Sequence, residues 1–318
     1  MIIITGAAGF IGSICAKTLN EKGYQDLVLV DDFTREDKRQ NWEHLTYTHK
    51  VDRETVFTWL EGKQQLVQAI VHLGARTDTT EQDWEIFQRL NLDYSKALWK
   101  LASQYQIPLI YASSAATYGD GSLGFIDDES TMPALKPLNP YGKSKQLFDE
   151  WVLAQAEKPF FWAGLKFFNV YGPHENHKGR MASVVFHAFH QIQKTGKMKL
   201  FKSHNDKWEN GKQLRDFIYV KDIAAVVVWL LEERKRSGIY NLGTGQARTF
   251  LDLVQNVFKA MNIPANIEFI DIPEDIREAY QYFTEASMQK LRESGYVAPF
   301  TSLEQGIEEY VADYLQNR

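Results

Sequence analysis

The sequence predicts an α/β fold, a doubly wound and mostly parallel sheet with a smaller C-terminal lobe. Three observations predict it. The chain opens on a strand, a glycine loop and a helix in immediate succession. Short β-branched runs then alternate with stretches of helical spacing, the pattern of parallel sheets. Tyr141 and Lys145 stand four apart in such a stretch, so they share one helix face. The 318 residues are 44% hydrophobic and 24% charged, which is globular composition with room for one large or two modest domains.

Met1 to Thr5 is an apolar run of the kind that forms a buried strand. Gly6-Ala7-Ala8-Gly9-Phe10-Ile11-Gly12 follows, a G-x-x-G-x-x-G loop, and then an amphipathic helix from Ser13 to Lys22. This is the context of the dinucleotide fingerprint and makes the sheet Rossmann-like. Gly6 permits a tight turn, Gly9 lets the backbone approach a pyrophosphate, and Gly12 lets helix pack on strand. The free N–H groups of the helix N-terminus then face the phosphates.

The second strand is expected at Asp26 to Val30, with Asp31 and Asp32 at its end. An acid about twenty residues past the glycine loop accepts ribose hydroxyls and argues for NAD. Arg35, Lys38 and Arg39 follow closely and suit a 2′-phosphate instead, so the residues leave NAD and NADP open. Ala69 to Ala75 reads as another buried strand ending in Leu73-Gly74-Ala75, small enough for close approach to a cofactor. His72 lies within that run and is expected to be a core histidine. Asn91 begins a helix ending near Gln106, and Leu109 to Ala112 is the next strand. That strand runs into Ser114, whose hydroxyl would stand at the carboxyl end of the sheet, where such folds bind ligands. Residues 120–140 form a long acidic surface loop.

Tyr141 and Lys145 carry the chemistry. A free phenol, with a pKa of about 10, is a poor base at neutral pH. A fixed ammonium beside it favours the phenolate, so Lys145 is expected to lower the pKa of Tyr141.

The glycine loop, Ser114 and the Tyr141/Lys145 pair resemble the extended short-chain dehydrogenase/reductase superfamily. Within it the chain resembles the ADP-L-glycero-D-manno-heptose 6-epimerase family. That narrower likeness rests on residues 111–119, on Phe167 to Pro173, and above all on His177-Lys178-Gly179-Arg180-Met181-Ala182-Ser183. Residues 215–220 and 280–284 extend it. The dehydratases of the superfamily carry an Asp-Glu pair in the stretch that reads Ser114-Ala115-Ala116-Thr117 here, so an epimerase is favoured.

The resemblance implies transient oxidation of C6″ by a tightly bound NADP, followed by return of hydride to the other face, in lipopolysaccharide inner-core heptose biosynthesis. It implies two acid/base groups, Tyr141 and Lys178, with Ser114 on the substrate oxygen and Lys145 on the nicotinamide ribose. The implied cofactor contacts are Gly6, Gly9, Phe10, Ile11, Gly12, Asp31, Asp32, Lys38, Arg53, Leu73, Gly74, Ala75, Asn91, Tyr141, Lys145, Val170 and Lys178. The implied substrate contacts are Ser114, Asn169, Ser183, His187, Phe201, Lys202, Arg215 and Tyr280. Read without the resemblance, Lys178 is a solvated loop lysine and His187 packs within a helix from Met181 to Lys194. Arg215 suits a bidentate diphosphate contact.

The expected division is a dinucleotide-binding domain over 1–169, with 216–245 returning to its sheet. A substrate-binding lobe takes 170–215 and 246–318. The net charge of −5 leaves no basic footprint for nucleic acid. The longest apolar run, Ala224 to Leu231, is too short to span a bilayer. Met1 leads directly into an apolar strand, so no signal peptide is expected, and the single cysteine, Cys15, excludes an internal disulfide. These features lead us to expect a cytoplasmic protein, and the resemblance implies an enzyme with a nucleotide-sugar substrate and no metal, in a homo-oligomer, a pentamer. Other readings are an epimerase or reductase of another nucleotide sugar, or a non-catalytic dinucleotide-binding regulator.

Overall fold

Apolar runs too short for helices and bounded by turn residues become the strands of one large sheet. In the computed structural model, which describes residues 1–277 and 280–316, these are β1 (Ile2–Thr5), β2 (Leu27–Asp31), β3 (His49–Asp52), β4 (Ala69–His72), β5 (Leu109–Ser114) and β6 (Trp162–Phe167). Then come β7 (Asn169–Tyr171), β8 (Met198–Phe201), β9 (Leu214–Tyr219), β10 (Gly238–Leu242), β11 (Ala247–Thr249) and β12 (Ile267–Ile270). The large sheet has the order β10-β6-β5-β4-β1-β2-β3, and every pairing in it is parallel. Its β1, β2 and β4 are buried along their whole length, as strands covered on both faces must be.

The order reverses between β1 and β4, so their carboxyl ends diverge and open a crevice. The glycine loop leaves β1 there, and Leu73-Gly74-Ala75 leaves β4. Helix Phe10–Glu21 packs against helix Val220–Glu233, while helix Pro140–Ala154 packs on β5 and on residues 88–93.

One expectation for the second half is corrected. The stretch after Arg215 does not join the large sheet as β9. It pairs with β7 in parallel and β11 in antiparallel, making a separate three-stranded sheet. Only β10 returns, beside β6. An apolar strand buried on both faces reads the same in either sheet, so its run alone does not name its neighbours. The strands β8 and β12 form a third, two-stranded sheet.

The helix expected to begin at Asn91 instead begins at Trp84, and Gln88–Asp93 winds as a π-helix before Tyr94–Gln104. The wider turn aims the buried Asn91 inwards. Its amide donates to Ser144 Oγ (2.9 Å) and to the Arg76 carbonyl (2.9 Å), and its Oδ1 accepts from the Arg76 N–H (2.8 Å).

A polar chain runs from there beneath the crevice. Ser95 Oγ donates to the Asn91 carbonyl, so it accepts from His72 Nε2 (2.8 Å). That places the ring proton on Nε2 and leaves Nδ1 to accept from Thr5 Oγ1 (2.6 Å), which itself accepts from the Gly74 N–H (3.1 Å). His72 is thus a core histidine, as expected, and burial lowers its pKa to about 3.

A second buried group lies under β5 and β6. Lys166 and Asp149, both fully buried, pair at 2.7 Å. Asp149 also accepts from Ser113 Oγ (2.6 Å) and Tyr111 OH (3.1 Å), and Lys166 donates to Thr117 Oγ1 (2.7 Å).

Two stability predictions follow from these buried groups. His72 is neutral in the fold down to about pH 3 but takes a proton near 6.5 when unfolded. The unfolded chain therefore binds more protons between those values, and stability falls as pH drops through that window. Linkage gives about 2 kcal/mol lost by pH 5 from this one group. The slope of urea-unfolding free energy between pH 7.5 and 5 should be shallower by that amount in His72→Gln; equal slopes would refute the assignment. Lys166→Met leaves Asp149 buried and uncompensated, which costs about 3–5 kcal/mol. An unchanged urea midpoint in that variant would show that the pair does not carry this burden.

Candidate functional site

The glycine loop forms one wall of the site because nothing larger fits. Gly6 has φ +70°, and a Cβ there would lie 2.7 Å from the Gly74 nitrogen. A Cβ on Gly12 would lie 2.1 Å from the Gly6 carbonyl oxygen. The loop is therefore pressed against β4 and against its own helix, and the crevice stays open above it.

A cleft of about 290 Å³ occupies the crevice. It brings together Gly6, Gly9, Phe10, Ile11, Gly12, Asp31, Lys38, Arg53, Leu73, Gly74, Ala75 and Lys178 of the expected cofactor residues. The remaining ones lie outside its lining. Asp32 stands beside it, holding Thr34 by hydrogen bonds and Arg53 at 3.8 Å. Asn91 serves the polar chain described above rather than the cleft wall. Val170 sits half-buried in β7. Residues that the sequence reading did not single out also line the cleft, among them Arg76, Asp78, Tyr94 and Met181.

Two features of the cleft fit a dinucleotide. One is the backbone cradle that a Cβ would fill. The other is Tyr94, whose hydroxyl is buried without a partner among the described residues and whose ring lines the cleft beside Arg53. Its burial raises the phenol pKa well above its ordinary value.

Asp31 is less free than the sequence suggests. Its carboxylate accepts from the Ala8 N–H (2.9 Å), from the Asp32 N–H (2.8 Å) and from Lys38 Nζ (3.0 Å). It fastens the glycine loop to β2, and Lys38 balances its charge. Arg35 is engaged by Asp37 and reaches the His177 carbonyl at 3.3 Å. Arg53 Nε donates to Glu54 (3.2 Å), and its guanidinium stands 3.8 Å from Asp32.

The helix carrying Tyr141 starts cleanly. The Asn139 side chain accepts from the Gly142 N–H (2.8 Å), and Pro140 takes the first turn, where no N–H is needed. A Cβ on Gly142 would stand 2.8 Å from the Ala116 carbonyl oxygen, so the helix lies directly against the loop after Ser114. That contact brings Tyr141 to Ser114, whose side chain acts on the phenol to lower its pKa. Burial outweighs this, and the Tyr141 pKa is raised overall.

The expected influence of Lys145 is not what the structure shows. Its ammonium donates to the Ala112 carbonyl (2.8 Å), and burial rather than Lys145 governs the phenol. Four residues on a helix set a shared face but not where a long side chain ends. Burial lowers the Lys145 pKa to about 8, opposed by the charge of Asp149 one turn further on.

Lys178 sits on a short helical turn, Asn176–Met181, with its ammonium 5.4 Å from the Phe10 ring centre at the cleft. It is half-buried, not solvated, and burial lowers its pKa. Ser183 caps helix Val184–Thr195 by accepting from the Phe186 N–H (3.2 Å), and its hydroxyl donates to Glu175 (2.7 Å). The helix expected from Met181 thus starts later. His187 is exposed on it, with Nε2 3.4 Å from the Arg180 carbonyl, so it does not simply pack.

The remaining substrate candidates form a separate cluster. Tyr280 lies edge-on to Phe201 (6.1 Å) and 5.6 Å from the Arg215 guanidinium. Arg215 is buried and donates to the carbonyls of Leu214 (2.8 Å) and Gln281. Its partners are carbonyls and rings, and burial lowers its pKa. Lys202 Nζ is 3.5 Å from Asp271, and Asn169 is exposed at the start of β7.

Residues 2–243 match the NAD dependent epimerase/dehydratase family. A protein of Fusobacterium nucleatum subsp. nucleatum named ADP-L-glycero-D-manno-heptose-6-epimerase is 46% identical, over 99% of this chain and 98% of its own. One of the same name from Nitratidesulfovibrio vulgaris strain DP4 is 50% identical, with the same coverage. The crystal structure of the Helicobacter pylori ADP-L-glycero-D-manno-heptose-6-epimerase superposes with a TM-score of 0.80 at 27% identity, over 98% of this chain and 94% of that one. With glycine cradle, Ser114 and Tyr141 in one arrangement and likeness along its whole length, the chain belongs to the NAD dependent epimerase/dehydratase family, in the branch of the ADP-L-glycero-D-manno-heptose-6-epimerases.

Proposed function

We propose that this chain interconverts ADP-D-glycero-D-manno-heptose and ADP-L-glycero-D-manno-heptose by inverting C6″, with a tightly held NADP, in the supply of inner-core heptose for lipopolysaccharide. The observation that carries this reading is end-to-end similarity of 46–50% to enzymes of that name, in a chain that sets Ser114 against Tyr141. The substrate would sit between the dinucleotide cleft and the cluster of Phe201, Lys202, Arg215 and Tyr280, in a lobe built from 170–215 and 246–318.

C6″ bears no acidic hydrogen, so inversion needs a temporary carbonyl. When bound, the nicotinamide supplies the hydride acceptor and then the donor. The protein moves the proton. Ser114 holds the reacting oxygen. Burial keeps Tyr141 a neutral phenol, suited to give a proton, and makes Lys178 less basic than an ordinary amine, suited to take one. The two groups serve the two faces of the carbonyl. Lys178 takes the hydroxyl proton as the alcohol is oxidised, and Tyr141 gives its proton as the carbonyl is reduced. Return of a proton from the Lys178 ammonium to the Tyr141 phenolate through solvent resets the pair for the next turnover. Lys145, held by the Ala112 carbonyl, presents its ammonium to the nicotinamide ribose.

The NADP preference rests on charge. Arg35, Lys38 and Arg53 line the cleft beside an Asp31 already engaged by the glycine loop, the Asp32 N–H and Lys38. Arg53, whose partner Glu54 is exposed, is the residue we assign to a 2′-phosphate.

Purified protein given ADP-D-glycero-D-manno-heptose without added cofactor should approach a mixture of both epimers by NMR, with no net NADPH. No conversion even with NADP or NAD supplied would sink the heptose assignment. Tyr141→Phe should lower kcat by about 10²–10⁴, the ordinary value of a positioned proton donor, while still binding dinucleotide. In cofactor-stripped protein, Arg53→Ala should weaken NADP by about 10- to 100-fold in calorimetry and leave NAD nearly unchanged. Equal weakening of both would exclude a role at the 2′-phosphate.

A further inference from the structure

Glu175 has no part in the reaction outlined above, yet it is one of the most completely buried carboxylates in the chain. It accepts from the Gly172 N–H (3.3 Å), from the Ser183 N–H and from Ser183 Oγ (2.7 Å). Those donors stand at the two ends of one loop, eleven residues apart in numbering, and Lys178 lies at its centre. The Glu175 carbonyl also accepts from the Lys178 N–H (2.9 Å), closing the turn that carries the amine.

The loop is held on its outer side as well. His174 adopts a left-handed conformation, φ 75°, that a histidine does not favour. It persists because His174 Nδ1 meets Ser13 Oγ at 2.9 Å and the His174 carbonyl accepts from Asn41 (3.2 Å). Thr79 Oγ1 reaches Met181 Sδ at 3.6 Å across the cleft. A loop tied at both ends and docked on the glycine-loop helix leaves its central lysine little choice of place.

We propose that Glu175 is a positioning residue for Lys178, its carboxylate fastening both ends of the 172–183 loop and placing a negative charge, sustained against burial by those three donors, behind the amine. This rests on the reading of Lys178 as a proton-transfer group. Burial pushes the Lys178 amine toward its neutral form, and Glu175 is the group that opposes it. The other charges facing that amine across the cleft are Asp31, Arg35, Lys38, Arg53, Arg76 and Asp78, with His177 on its own turn. Gln in place of Glu keeps the shape and an acceptor but removes the charge. The ammonium then loses its nearest support, and Lys178 gives up its proton at lower pH.

The test uses the full-length enzyme with its cofactor bound. Lys178 is labelled with acetic anhydride across pH 6 to 10 (chosen at about the span of a perturbed lysine) and read by peptide mass spectrometry, alongside the pH dependence of kcat. Glu175→Gln should shift the Lys178 labelling curve and the matching limb of kcat to lower pH, and lower kcat by about 10- to 100-fold through misplacement. Melting temperature and cofactor content report whether the variant is folded. If it is not, Glu175→Asp carries the test: the charge stays and the reach shortens, so the labelling curve should hold while kcat falls. An unshifted labelling curve with wild-type kcat in Glu175→Gln, or wild-type kcat in Glu175→Asp, would overturn the inference. Lys178→Met separates the two levels of argument. Its full activity would overturn the reading of Lys178 itself and this inference with it, whereas an inactive Lys178→Met beside an unaffected Glu175→Gln would overturn only the role of Glu175.

Discussion

The contact on which the rest of the site depends is the one between Gly6 and Gly74. They stand just past the ends of β1 and β4, at the point where the strand order reverses, with no space between them for a single methyl group. Any larger residue at Gly6 would push the two strand ends apart or lift the loop into the crevice. The crevice owes its depth to that closeness, and the residues that line it descend from the same strand ends. Below the contact, the Gly74 N–H starts the polar chain through Thr5, His72, Ser95 and Asn91 to Ser144 in the helix of Tyr141. The glycine cradle and the Tyr141 helix are therefore parts of one hydrogen-bonded framework, buried where water does not compete for its donors.

A second regularity concerns carboxylates. Asp31, Asp149, Glu175 and Asp216 are all buried, and each accepts several hydrogen bonds from different elements. Asp216 alone takes the N–H groups of Thr244, Gly245 and Ala286, joining β9 to the turn after β10. Burying a carboxylate is expensive unless its oxygens are filled. Asp149 is filled by the side chains of Lys166, Ser113 and Tyr111, whereas Asp31, Glu175 and Asp216 accept from backbone N–H groups of loops. Those three acids thus act as knots between loops that an α/β sheet leaves open at its carboxyl edge, the edge where the ligands must bind.

This explains what could and could not be read from the sequence. The glycine loop, the parallel alternation and the meeting of Ser114 with Tyr141 were legible, because each follows from local pattern and from the order of strands. The fate of an individual polar group was not. Asp31 looks like a ribose ligand by position, yet it spends its oxygens on Ala8, Asp32 and Lys38. Ser183 looks like a substrate contact and is a helix cap tied to Glu175. Asp149 follows Lys145 by one helical turn, but nothing in that spacing reveals Lys166 across the sheet. The sheet membership of β9 failed for a related reason: burial on both faces erases the alternation that would distinguish one sheet from another.

The electrostatics of Tyr141 draw these points together. A lysine one turn away does not by itself make a phenolate. The Lys145 ammonium is turned to the Ala112 carbonyl, and the buried phenol feels desolvation first. Before ligands enter, the stable state at neutral pH is a protonated tyrosine near Ser114, beside a lysine that burial has already brought down to about 8. The phenol stands in the form that burial prefers, while the amine, at about 8, is still mostly an ammonium at neutral pH. Any cation brought over this end of the sheet would favour the phenolate strongly, because there is little water to screen it. With burial dominant, the phenol keeps its proton, the form in which it can give one to the reacting oxygen.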